Sequence, residues 1–89
     1  MFDLKQALIS KRDESPPPNN NKMQPLLAEQ MLGILDMYES GKISLREYKR
    51  QMRLVKINMF DNFINGKTQP LIYTGMVELI EKAIQYPDL

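Results

Sequence analysis

The chain has 89 residues, a formal net charge of +1, and neither cysteine nor histidine. Its length holds one domain at most, and the two missing residue types remove disulfides, thiolate metal sites and the commonest general base and metal ligand. With no Gly-rich phosphate loop, nucleophile elbow or paired-carboxylate motif, the sequence predicts a non-enzyme without cofactor or metal.

Taken in chain order, Phe2 to Arg12 predict a short helix with Phe2, Leu4, Ala7, Leu8 and Ile9 on its apolar side. At under four turns it needs a docking surface. Asp13 to Lys22 read Asp-Glu-Ser-Pro-Pro-Pro-Asn-Asn-Asn-Lys, a linker in which proline favours polyproline II and asparagine favours turns. Residues 1–22 are therefore expected to form an extended Pro/Asn-rich arm, and residues 23–89 a helical domain. A unit of about 65 residues is small but able to fold alone.

The first helix of that domain is expected from Pro25 to Ser40. Proline suits a first turn, and Leu26, Leu27, Gln30, Met31, Ile34, Leu35 and Tyr38 follow amphipathic spacing. Gly41 stops it. The next helix begins at Ser44, where Ser44 and Glu47 form a capping box and Ile43 is placed to staple onto Tyr48. Its apolar face is Tyr48, Met52 and Val55, with Lys49, Arg50 and Arg53 facing elsewhere. A separate helix is expected over Lys56 to Ile64, with Ile57, Phe60, Phe63 and Ile64 at helical spacing and both phenylalanines assigned to the core. Asn65-Gly66 ends it, and residues 68–70 read as loop. The last helix runs from Leu71 or Thr74 to Gln85 with the stripe Met76, Leu79, Ile80, Ala83 and Ile84. Gly75 weakens its start by roughly 1 kcal/mol relative to alanine. No strand alternation of useful length occurs, so the fold class is all-α, a small four-helix domain behind the arm.

Charge is unevenly distributed. Lys42 to Lys67 hold seven basic and two acidic residues, a charge of +5, and the rest holds five basic and nine acidic, a charge of −4. A basic helical unit in a small domain points to nucleic acid, although charged helix faces are also ordinary solvated surface.

The same residues resemble the Cro/repressor-type (Xre-like) helix-turn-helix family. Ser44, Glu47, Tyr48 and Met52 match its second helix, Phe60 and Phe63 its recognition helix, and Gly66-Lys67-Thr68-Gln69-Pro70 its closing Gly-Lys/Arg-x-x-Pro. Leu79 to Ile84 followed by Pro87-Asp88-Leu89 match its last helix. The resemblance covers 23–89. The chain departs from the pattern at Lys49, where the family has a small residue, at Arg53, where it has glycine, at Leu45, where glutamine is common, and by one extra turn residue at Leu54–Val55. The resemblance implies a small sequence-specific regulator of transcription, of a phage or mobile-element kind, that binds double-stranded DNA as a homodimer. Base contacts would come from Lys56, Asn58, Met59 and Asn62, and phosphate contacts from Arg46, Lys49, Arg50 and Lys67.

Residues 35–55 also resemble the short C-terminal domain family, a helical hairpin, through Gly41-Lys42-Ile43-Ser44 followed by Glu47-Tyr48 and Leu54-Val55. That resemblance implies the alternative function, a non-catalytic helical protein-interaction module. Such a module is expected to dock on a larger protein through the N-terminal arm, as a virion component or an inhibitor would. It is also expected to merge the two middle helices into one rod, since Leu54 to Asn58 contain neither glycine nor proline. The apolar residues of 1–10 are interrupted by Asp3 with no cleavage site following, and no run is long enough to span a membrane. The expected location is the cytoplasm or a viral particle.

Overall fold

Four α-helices form, α1 at Leu4–Asp13, α2 at Met23–Glu39, α3 at Leu45–Ile64 and α4 at Pro70–Gln85. The computed structural model describes residues 3–14, 23–66 and 70–88, and no strand occurs among them. Lys67, residues 68–69 of the expected loop, and most of the expected linker lie outside the described residues.

Each helix start has a local cause. Asp3 caps α1, its carboxylate accepting the Gln6 N–H at 3.1 Å. Helix α2 starts two residues before the expected Pro25, which still sits in the first turn, where a missing N–H costs no intrahelical bond. Ser44 caps α3 and accepts the Glu47 N–H at 3.1 Å. The expected return bond from Glu47 to the Ser44 backbone is replaced. The Glu47 carboxylate accepts instead from Arg50 and from Gln51, because a guanidinium fork, charged on both sides of the bond, holds a carboxylate more strongly than a neutral backbone N–H does. Helix α4 starts at Pro70, earlier than expected, with proline again at the first helical position.

The ends of α2 and α4 are closed by specific bonds. Gly41, at φ +80°, ends α2. The Lys42 N–H donates to the Met37 carbonyl at 2.8 Å and the Gly41 N–H to Tyr38 at 3.1 Å, the paired bonds of a Schellman motif. Gln24 of α2 donates to the Lys11 carbonyl near the end of α1 at 3.1 Å. At the end of α4, all four terminal carbonyls have donors. Tyr86 N–H reaches Lys82 at 3.0 Å and Asp88 N–H reaches Gln85 at 2.9 Å. Between them, the Tyr48 hydroxyl of α3 donates to Ala83 at 2.6 Å and the Lys49 ammonium donates to Ile84. A cation at a helix C-terminus also complements the macrodipole.

The helices pack in a ring. Helix α1 lies on α2 and α4, α2 on α3, and α3 on α4. Each contributes to one core: Leu4 and Leu8, then Leu27, Met31, Ile34 and Leu35, then Tyr48, Met52, Val55 and Met59, then Met76, Leu79, Ile80 and Ala83. Four of these are methionines, whose unbranched side chains fill irregular gaps. The docking surface that α1 requires is thus α2 and α4 of its own chain. Leu26 and Gln30, expected on the apolar side of α2, are exposed, and Ala28 is buried instead. Tyr38, Tyr48 and Tyr86 cluster with ring centroids 5.0–6.2 Å apart. Burial, and then the neighbouring Tyr86, Glu39 and Tyr38, push the Tyr48 phenol up from its ordinary value.

The main difference from expectation lies in the middle. The helices expected on either side of Leu54–Val55 are one helix of 20 residues, about 30 Å long. No glycine or proline interrupts it. Its core row is Tyr48, Met52, Val55 and Met59, spaced four, three and four residues apart, which is the spacing of one helical face. The phase set by that row turns Ile57, Phe60 and Ile64 outward, where they are 55%, 50% and 61% exposed. Phe60 is therefore not a core residue, and Phe63 is half-buried, stacked on Tyr73 with centroids 4.3 Å apart.

Truncation separates the two rows. Met59→Ala is expected to lower the unfolding free energy by about 2–5 kcal/mol through the cavity it leaves. Ile57→Ala is expected to change it by less than about 1 kcal/mol, since an exposed position carries little packing. Urea denaturation of both variants measures this, and the opposite ranking would contradict the phase of α3.

Candidate functional site: the outer face of α3

Two rows run along α3. The inner one binds the core. The outer one is Arg46, Arg50, Arg53, Ile57, Phe60 and Ile64, again spaced by alternating fours and threes. At 3.6 residues per turn the rows lie roughly 150° apart. The outer row is cationic in its first half and apolar in its second. All six of its residues are exposed.

Beside the apolar half, α3 and α4 enclose a groove of about 530 Å³ lined by Arg53, Lys56, Ile57, Phe60, Tyr73, Glu81 and Ile84. Phe60 and Tyr73 approach with ring centroids 6.4 Å apart at 48°. The Lys56 ammonium pairs with Glu81 across the groove. Both partners are about half exposed, a setting in which an ion pair contributes little to stability. Such a pair is free to exchange partners when another charged surface arrives. Tyr73, Glu81 and Ile84 were not anticipated as site residues. Their placement follows from how α4 packs on α3, which no local pattern encodes.

The residues expected to read bases are dispersed. Met59 is 1% exposed, in the core, and cannot reach a thymine methyl. Lys56 is engaged with Glu81 at the groove, Asn58 is exposed on the side facing α2, and Asn62 is half-buried. Asn58 and Asn62, four residues apart, share one side of the rod while Lys56 and Met59 lie on others, because α3 is one unbroken helix and the start of a separate recognition helix does not exist. Of the expected phosphate contacts, Lys49 is half-buried on the α4 carboxyl end. Arg46 and Arg50 are exposed on the outer row, and Lys67 is outside the described residues. Arg50 is partly committed, its guanidinium forming a two-point contact with Glu47, with Nε 2.8 Å from Oε1. Arg46 and Arg53 have no ion pair among the described residues.

Among the described residues no group of three acidic side chains converges to hold a metal ion, and no helix is long and apolar enough to cross a membrane. No family model, curated protein or solved structure matches the chain.

Arg50, and after it Gln51, hold the Glu47 carboxyl down from 4.5 to about 2. A depressed carboxylate contributes stability that is present above the unfolded value and lost as pH falls through the folded one. The contribution of Glu47 is therefore expected to disappear between pH 4.5 and about 2. Carboxyl NMR titration should place Glu47 near the lower figure, and Arg50→Gln should return it most of the way to the ordinary value. An ordinary titration in the unaltered protein would contradict the Arg50–Glu47 contact.

Proposed function

We propose that this chain is a non-catalytic helical protein-interaction module that docks on a larger protein through the outer face of α3 and the adjoining α3–α4 groove. The observation that carries this reading is the exposed row Ile57, Phe60 and Ile64, one face of a continuous helix and 50–61% exposed. Single exposed apolar residues are ordinary, but a contiguous row beside an aromatic-lined groove is the form of an interaction surface. Fully burying such side chains is worth about 1.5–3 kcal/mol each, so the exposed halves hold about 1 kcal/mol apiece in reserve. Three together are worth roughly two powers of ten in affinity.

The location of this face differs from the arm-mediated docking expected from sequence. Leu4 and Leu8, the main apolar residues of α1, are already buried against α2 and α4. A groove-reading mode for DNA depends on a turn at Leu54–Val55 and on base-reading side chains at the start of a second helix. The unbroken helix, the burial of Met59 and the engagement of Lys49 and Lys56 all favour the protein-docking reading over it.

Random-sequence duplex DNA, titrated by fluorescence anisotropy through a salt series, is expected to show no binding at physiological salt. Ile57→Ser with Ile64→Ser is expected to keep the far-UV spectrum and lose at least about tenfold in affinity for any partner protein of the unaltered chain. Tight DNA binding that weakens steeply with salt and survives the double variant would overturn the proposal.

A further inference from the structure

The docking face has a composition that selects its occupant. We infer that the outer face of α3 receives an acidic amphipathic helix from a different protein. In that complex, apolar side chains at three- and four-residue spacing seat against Ile57, Phe60 and Ile64, and carboxylates seat against Arg46, Arg50 and Arg53. This rests on the docking reading above and adds the chemistry of the partner.

Three observations lead to it. The spacing of the outer row, four, three, four, three and four, is the seam geometry that a second helix matches with its own apolar positions. The groove beside Phe60 and Tyr73, at about 530 Å³, gives an apolar anchor somewhere to enter, as pockets of that size do. The cationic half is unbalanced: Arg46 and Arg53 have no ion pair among the described residues, and the row itself contains no acid. Guanidinium groups on a docking seam pair best with carboxylates, which they bind in a two-point fork.

A second copy of the chain fits the row poorly. A parallel, in-register pair sets Arg46, Arg50 and Arg53 against themselves. An antiparallel pair centred on Phe60 brings the apolar halves together, but the arginines then project past Ile64 of the other copy. Asn65 and Gly66, which follow Ile64 there, offer no acid to receive them. Asp61, which flanks the row, would also meet its own copy. Electrostatic complementarity of this kind decides partner choice more than affinity. A nucleic acid would satisfy the arginines but would leave Ile57, Phe60 and Ile64 uncovered.

The test uses the full chain and three synthetic amphipathic helical peptides of equal length. The first two carry leucines at alternating three- and four-residue spacing. The first has glutamates in one half of its polar positions, the second has lysines there, and the third has the first peptide's composition in scrambled order. Binding is followed by fluorescence anisotropy, and the oligomeric state of the free chain by sedimentation. The acidic peptide is expected to bind at least tenfold more tightly than the lysine peptide or the scramble. Arg46→Glu with Arg53→Glu should reverse that preference, while Ile57→Ser with Ile64→Ser should abolish binding by both ordered peptides. Both residue pairs are exposed, and unchanged thermal melting confirms that the variants remain folded. Equal binding of the acidic and lysine peptides overturns the acidic partner while leaving the docking face intact. No binding of any peptide up to about 1 mM overturns the helical partner. Self-association of the free chain that is lost in Ile57→Ser with Ile64→Ser assigns the face to a second copy and also overturns it. If the row variants retain full affinity for a partner protein, the docking reading itself fails, separately from this one.

Discussion

The continuity of α3 is the constraint on which the rest of the structure depends. The helix is held at both ends of its core row. Near its start, Tyr48 and Lys49 give their hydrogen bonds to the last turn of α4. Eleven residues past Tyr48, Met59 sits in the core at 1% exposure. A helix fixed at two such points has no rotational freedom about its axis, so the identity of every outward residue between and beyond them is decided. Ile57, Phe60 and Ile64 are outside because Tyr48, Met52, Val55 and Met59 are inside.

Contacts between neighbouring helices in this small domain do double duty. A core drawn from so few residues leaves a thin margin of stability, and every unsatisfied helix terminus would reduce it further. Here the terminal carbonyls of one helix are closed by side chains of the next. Gln24 of α2 serves α1, and the adjacent pair Tyr48 and Lys49 of α3 serves α4. Each bond also fixes the position of one helix on another. The adjoining tyrosines extend the same junction, with the Tyr86 hydroxyl donating to Glu39 at 2.9 Å.

The parts of the fold that were legible in the sequence are those set by local chemistry. Ser44 as a cap, Gly41 and Gly66 as stops and the apolar stripe of α4 all act within a turn or two of themselves, and all stand where sequence reasoning put them. The number of helices in the middle was not legible in the same way. Residues Ile57, Phe60, Phe63 and Ile64 have good helical spacing of their own, and reading them as a core face demanded a new helix with a new phase. The contrary signal was present in Met59, which continues the spacing of Tyr48, Met52 and Val55 without interruption. Two good apolar rows on one helix mean that one of them faces out, and only packing tells which. Lys49 and Glu47 show the same limit. Their roles, on the Ile84 carbonyl and on Arg50, depend on partners chosen by proximity in three dimensions or by competition between nearby donors. The groove belongs wholly to this class, since Tyr73, Glu81 and Ile84 reach it from another helix.

The most direct test of this account is backbone NMR across Arg53 to Met59 in the free protein. An unbroken α3 requires helical chemical shifts at every residue in that span, sequential contacts between each Hα and the amide three residues on, and slow amide exchange through Leu54 and Val55. Extended or turn shifts at Leu54–Val55, with those contacts missing and the amides exchanging freely, would contradict it. The outer row would then lose its common face, and the geometry of two helices meeting at a turn would be restored.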